Sequence, residues 1–173
     1  FHLKGHDDLI RAARTVVAQQ PRVRFLLVGD GLLAPQIRRQ IAAAGLEQHF
    51  HLTGLVPPER IPALIGAMDL VVHASLREGL ARVLPLALIA GKPVVSYDVD
   101  GAREVVLQDQ TGFLLPPRSV NALAEAIVCL AGNPALRDRM GSEGRRRFTD
   151  VFRHEHMTAE LRKLYTRLLS AQK

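Results

Sequence analysis

The stretch Ser75-Leu-Arg-Glu78-Gly79-Leu80-Ala81-Arg82-Val83-Leu84-Pro85-Leu86-Ala87-Leu88-Ile89-Ala90-Gly91-Lys92-Pro93-Val94-Val95 decides how this chain reads. A loop carrying a glutamate and a glycine leads into a helix. The helix closes at Gly91, and a short turn through Pro93 opens an apolar strand. Backbone N–H groups at a helix entrance lack intrahelical partners and attract anions. Glu78 beside them is a polar handle. The combination suits a ligand that joins a hydroxyl-rich group to a phosphate.

The same alternation extends in both directions. Apolar β runs are expected at 24–28, 51–53, 70–73, 94–97 and 112–115. They are continuous rather than strictly alternating, the pattern of strands covered on both faces. Helical periodicity fills 7–19, 33–44, 58–68, 82–90, 121–131, 135–147 and 155–169, with Gly45 stopping the second helix. The order implies an α/β, Rossmann-like, doubly wound and mostly parallel sheet with helices on both faces and right-handed crossovers. Ligands in that architecture sit at the carboxyl ends of the strands. The last three helices follow one another without a strand and read as a lid or strap. The first helix, introduced by Lys4-Gly5-His6, has no strand ahead of it. One strand of the sheet is therefore expected outside residues 1–173, which otherwise read as one domain.

Composition narrows the function classes. The chain has 173 residues, 47% of them hydrophobic, enough for one sizeable core. No apolar run approaches the ~18 residues of a membrane span, and no cleavable leader is visible. The single cysteine, Cys129, excludes an internal disulfide. It lies in the apolar run Ala126-Ile127-Val128-Cys129-Leu130 and is expected as a buried thiol. A cytoplasmic location is the expectation. Net charge is +6, with basic residues collected at Arg137, Arg139, Arg145, Arg146 and Arg147. A solvated helical face is the favoured reading, with peripheral attraction to an anionic membrane surface as the sharper one. Aromatics are 5%, too few for the stacking platforms of single-stranded nucleic-acid binders, so no nucleic acid is expected.

Shorter motifs compete. Gly29-Asp30-Gly31-Leu32-Leu33-Ala34 follows a strand and opens a helix, as the dinucleotide fingerprint does. That fingerprint also needs a ribose-binding acid at the end of the next strand, which here ends Leu52-Thr53-Gly54-Leu55. A dinucleotide-dependent oxidoreductase is therefore a weak alternative. Asp98-Val99-Asp100 has the spacing of a metal-gripping pair, but a strand-to-helix turn is preferred, with Asp100 at the entrance of a short helix. His49 and His51, like His154 and His156, have no partners that complete a zinc set. His73 ends a strand just ahead of Ser75 and Glu78, and fits either a ligand contact or a core-edge histidine.

Taken together and in order, these pieces match a family. They run from Lys4-Gly5-His6 through Leu27-Val-Gly29-Asp30-Gly31, Leu52-Thr53-Gly54, Ala74-Ser75-Leu-Arg-Glu78-Gly79 and Ala90-Gly91-Lys92-Pro93-Val-Val. They continue through Gly101-Ala-Arg-Glu104-Val-Val and Thr111-Gly112-Phe-Leu to a last helix near Tyr165. The chain resembles the C-terminal, group 1, donor-binding domain of a GT-B glycosyltransferase of family four. The resemblance implies transfer of a glycosyl group, hexosyl in type, from a nucleotide-diphosphate sugar to an acceptor, with retention and without a bound metal or other cofactor. An N-terminal domain of the same protein would hold the acceptor, and this half alone would be inactive.

Residue by residue, the resemblance implies that Lys4 clamps the diphosphate and that Glu78, first glutamate of a Glu-x7-Glu motif, contacts the transferred sugar. His73 and Ser75 flank that contact. The backbone of Gly79, Leu80, Ala81, Arg82 and Val83 would receive the diphosphate. Gly29 and Gly31 would face the cleft, and Thr53, Gly54 and Leu55 would hold the base. One departure matters. The second motif glutamate falls at Leu86, which cannot accept a bond from a ribose hydroxyl. On a continuous helix it would stand about 12 Å along from Glu78. Leu80 and Ala81 also replace a more usual Phe-Gly. A degenerate, non-catalytic nucleotide-binding domain is therefore the principal alternative.

Overall fold

The computed structural model describes residues 2–170. Among them, five short strands alternate with α-helices in the anticipated order. The strands are β1 (Phe25–Leu27), β2 (Phe50–Leu52), β3 (Val71–His73), β4 (Val94–Tyr97) and β5 (Gly112–Leu115). The helices are α1 (His6–Gln19), α2 (Ala34–Ala43), α3 (Ile61–Gly66), α4 (Val83–Ile89), α5 (Val120–Gly132), α6 (Pro134–Phe148) and α7 (His154–Ser170). Gly45 and Gly91 end α2 and α4 as anticipated, both at positive φ. In each case the next residue's N–H reaches back to a carbonyl five positions earlier, Leu46 to Ile41 and Lys92 to Ala87.

All strand pairs are parallel. Among the described residues the ladder divides into β1–β2 and β3–β4–β5, a break compatible with the expectation that one strand of the sheet is wanting. One core nevertheless spans both parts. Phe25 of β1 and Val95 and Tyr97 of β4 pack in the same cluster as Leu9, Ala13 and Val16 of α1 and Leu123, Ile127 and Leu130 of α5. β4 is buried along its whole length, as its continuous apolar run requires. β2 is not, because His51 faces solvent at the outer edge. Tyr97 carries a polar group into this core, where its hydroxyl donates to Asp8 Oδ2 at 3.0 Å.

Several expectations need correction. Cys129 is exposed rather than buried. The buried stripe of α5 runs through Leu123, Ala126, Ile127 and Leu130, and Cys129 falls off that face. The anticipated helix 58–68 is a 3-10 turn at Pro58–Arg60 followed by α3, with Pro62 in the first α turn. The helix after Gly79 begins at Val83, not Arg82, so Glu78 lies in an extended loop and the helical spacing to Leu86 does not apply. The terminal strap does not lie across this domain: α7 buries no residue and shows Met157, Leu161, Leu164, Tyr165, Leu168 and Leu169 to solvent. The basic cluster on α6 is largely committed locally. Arg146 and Arg147 pair with Glu143, and Arg137 donates to the carbonyls of Leu130 and Ala131.

One backbone contact positions everything that follows. Gly5 has φ +70° and lies against Ala74, just past β3. A Cβ on Gly5 would stand 1.9 Å from the Ala74 carbonyl oxygen. Next to it the Leu76 N–H donates to the Leu3 carbonyl at 2.8 Å. The 3-10 turn His2–Lys4 is thus fastened to the β3–α4 loop on both sides of Lys4. Gly5→Ala meets both the left-handed backbone and the close approach, and should lower stability by about 1–3 kcal/mol. Urea unfolding of the chain checks this; an unchanged midpoint would mean the segment is not held against Ala74.

Candidate functional site

Residues far apart in sequence converge at the carboxyl end of β3. Lys4 and Glu78, 74 positions apart, form an ion pair in which Lys4 Nζ donates to Glu78 Oε1. Their side chains are 49% and 20% exposed, so the carboxylate is the more enclosed partner. The Glu78 loop is pinned from below. Its N–H donates to Asp100 Oδ2 at 2.5 Å, and the Gly79 carbonyl accepts from the Gly101 N–H at 3.0 Å. Asp100 opens the 3-10 turn Asp100–Glu104 beyond β4 at a φ of 48°, so the preferred reading of the Asp98-Val99-Asp100 segment as a turn holds. Asp98 is occupied by a bidentate pair with Arg103, at 3.1 and 2.7 Å. No group of three or more metal-ligating side chains assembles among the described residues.

Charge at this cluster is balanced locally. The hydrogen bond from Lys4 holds the Glu78 carboxyl below its usual range, with a further contribution from Ser75. Ser75 is buried, as is His73. His73 Nε2 lies 3.8 Å from Glu78 Oε1, and His73 Nδ1 lies 3.2 Å from Ser96 Oγ. Burial pushes the His73 imidazole below its ordinary value, against the pull of Glu78. His73 is therefore both a core-edge residue and a neighbour of the candidate sugar contact.

A second group forms where β1 and β2 end. The Gly29 N–H donates to the Gly54 carbonyl at 3.1 Å and lies 3.3 Å from Thr53 Oγ1. Asp30 Oδ1 accepts from the Gly31 N–H at 2.7 Å, which tightens the turn into α2. Gly29, Gly31, Thr53 and Gly54 are thus brought together. Leu55 projects outward beside them at 84% exposure, and Leu32 of the adjoining turn at 96%. The dinucleotide alternative gains nothing here, because β2 runs out into Thr53 and Gly54 with no carboxylate.

At the entrance to α4, Leu80 is exposed beside Gly101, and Leu86 is 45% exposed at the end of the first turn. Arg82 is exposed, while Ala81 and Val83 are partly covered and pack against the smaller core cluster. Two contributors were not singled out from sequence as site residues. Gly5 belongs to Lys4-Gly5-His6, and its role depends on a neighbour 69 positions away. Asp100 was set aside as a turn residue, and it is one, but the turn it forms carries the Glu78 backbone.

The family of glycosyl transferases group 1 matches residues 1–147. An alpha-D-kanosaminyltransferase of Streptomyces kanamyceticus is 32% identical over 79% of the chain and 36% of its own length. A 2-deoxystreptamine glucosyltransferase of the same organism is 29% identical over 99% of the chain and 44% of its own. The chain thus spans less than half of either relative. Among solved structures, the Anabaena protein HepE in complex with UDP superposes with a TM-score of 0.87 at 29% identity, over 96% of the chain and 46% of HepE. A TarM variant of S. aureus, in complex with Fondaparinux, alpha-GlcNAc-glycerol and UDP, gives 0.87 at 25% identity, over 94% and 33%. The α/β architecture of parallel strands flanked by helices is that of these GT-B proteins. The chain belongs to the glycosyl transferases group 1 family.

Proposed function

We propose that this chain is the donor-binding half of a retaining, hexosyl-transferring glycosyltransferase of family four, which takes a nucleotide-diphosphate sugar. The observation that carries the reading is the Lys4–Glu78 pair, a cation and a carboxylate mounted side by side at the strand ends by Gly5, Leu3 and Asp100. UDP in the HepE and TarM complexes supports a nucleotide ligand. Departure of a nucleoside diphosphate builds negative charge, and the Lys4 ammonium is placed to stabilise it. The amides of Gly79 to Val83 add donors ahead of α4. Glu78, kept ionised by Lys4 and Ser75, accepts from hydroxyls of the transferred sugar. Thr53, Gly54 and Leu55 hold the base. The ion pair is half exposed at Lys4, so turning the ammonium from Glu78 to a phosphate costs little.

The remaining parts lie outside this chain. An acceptor-binding domain closes the cleft, and transfer needs both walls. One further parallel strand fits between β1 and β3, where the two ladders stop. The reaction uses no metal on this side. Among the described residues no helix is long and apolar enough to cross a membrane. We propose a cytoplasmic location as well, with peripheral association at the inner face of the membrane. The second reading is a non-catalytic nucleotide-binding domain, favoured by Leu86, which replaces the second glutamate of the motif and is exposed.

Two substitutions test this. Glu78→Ala should leave UDP binding within about twofold while abolishing transfer by the protein with both halves present; unaltered turnover would remove Glu78 from the reaction. Leu86→Glu should tighten UDP binding by about 1–3 kcal/mol, the value of a hydrogen bond to a charged acceptor. Calorimetry reads both, and no change at Leu86→Glu would place the ribose elsewhere.

A further inference from the structure

His73 holds a buried nitrogen with no hydrogen-bond partner among the described residues. Its partner across the β3–β4 register is Ser96. The Ser96 hydroxyl donates to the Tyr97 carbonyl at 2.9 Å and also lies 3.2 Å from His73 Nδ1. A hydroxyl has one proton, and a carbonyl can only accept. If the hydroxyl's one hydrogen goes to Tyr97, the hydrogen in the His73–Ser96 contact belongs to Nδ1, which donates to the Ser96 oxygen. In a neutral imidazole that leaves Nε2 as a bare acceptor. Nε2 is buried without a hydrogen-bond partner, 3.8 Å from another acceptor, Glu78 Oε1.

Two facing acceptors repel, and the carboxylate is held instead by the Lys4 ammonium on its more exposed side. Protonation of Nε2 reverses this. The nitrogen becomes a donor aimed at Glu78, and one carboxylate oxygen then has two cationic suitors.

We propose that His73 is the positioning residue of Glu78: unprotonated, it keeps the carboxylate turned to Lys4 and available to a sugar hydroxyl, and protonated, it draws the carboxylate inward and closes the sugar subsite. The inference rests on the reading of Glu78 as the sugar contact. The charged groups facing His73 are Glu78, from the β3–α4 loop, and Lys4, from the turn ahead of α1. Burial and Lys4 lower its affinity for a proton, and Glu78 raises it, so the neutral form prevails above pH 6.5 and the charged form grows below. Glu78 stays ionised across that window, since Lys4 and Ser75 hold it below the ordinary carboxylate range.

Nuclear magnetic resonance on the chain, with labelled histidine and glutamate, tests the proposal without any ligand. At pH 7.5 His73 should be the Nδ1–H tautomer. Its apparent pKa should lie below 6.5, and the Glu78 carboxyl resonance should step at the same midpoint. An Nε2–H tautomer, or a Glu78 resonance blind to that titration, overturns it. Lys4→Gln should move the His73 midpoint upward, and a downward shift counts against the proposal. His73→Asn keeps a donor toward Ser96 and has no atom at Nε2, so the Glu78 step should vanish there. UDP-glucose, whose diphosphate does not titrate in this range, should bind the wild-type chain several-fold more weakly at a pH one unit below the measured His73 midpoint than at pH 7.5, and His73→Asn equally at both. An equal acid loss in His73→Asn overturns the proposal. Failure of UDP and UDP-glucose to bind at either pH would instead sink the nucleotide-sugar reading, while the tautomer still decides the state of His73.

Discussion

The approach of Gly5 to the Ala74 carbonyl is the constraint on which the site depends. It joins the segment before α1 to the segment after β3, and no side chain fits between them. Both flanks are fixed by main-chain groups, Leu3 bonding to Leu76 and Gly5 seated on Ala74. Lys4 sits between these anchors and is displayed rather than loosely tethered. An ion pair at the surface is worth little by itself. What gives Lys4–Glu78 its meaning is that both ends are mounted on backbone whose position is settled by packing.

β4 carries the load beneath. It pairs with β3 on one side and β5 on the other, and all of its residues are buried. Its side chains reach in three directions. Ser96 orients His73, Tyr97 ties the sheet to Asp8 of α1, and the residues just past its end, Asp98 and Asp100, hold Arg103 and the Glu78 amide. Close packing enforces this. Gly112 of β5 admits no Cβ because the Val94 carbonyl oxygen would stand 1.9 Å away. A parallel sheet packed this tightly delivers its loop residues to one rim with little latitude.

The element order was legible because parallel strands buried on two faces write themselves as apolar runs, and because Gly45 and Gly91 mark helix ends. Of the candidate site, Glu78 and the glycine turn at residues 29–31 stood out by residue type and place, and Lys4 through the family resemblance; the fold brings Lys4 and Glu78 together. Relations between distant segments were not. Nothing local shows that Gly5 must be a glycine, since its obstacle is Ala74. Nothing local shows that Asp100 supports Glu78. Cys129 misled because an apolar run on a helix crosses the buried stripe and leaves it again within one turn. That one strand of the sheet would be wanting was expected from the helix ahead of β1, but where the ladder would break was not, since each strand reads normally on its own.

The site also has an economy of charge that the motif alone does not convey. Without ligand, Glu78 already has Lys4, Ser75 and its own amide bound to Asp100, with His73 Nε2 3.8 Å away. On the proposed reading, a diphosphate arriving at this rim would compete for Lys4 alone, because Glu78 keeps its other supports. The carboxylate would then be left ionised, in place, and short of one donor. That is the state in which a hydroxyl gains most from binding it, since an enclosed acceptor without a partner is the costly alternative. On the proposed reading, phosphate recognition and hydroxyl recognition would be coupled through one ammonium group, since what Lys4 gives to a phosphate it takes from the carboxylate that a sugar hydroxyl would meet.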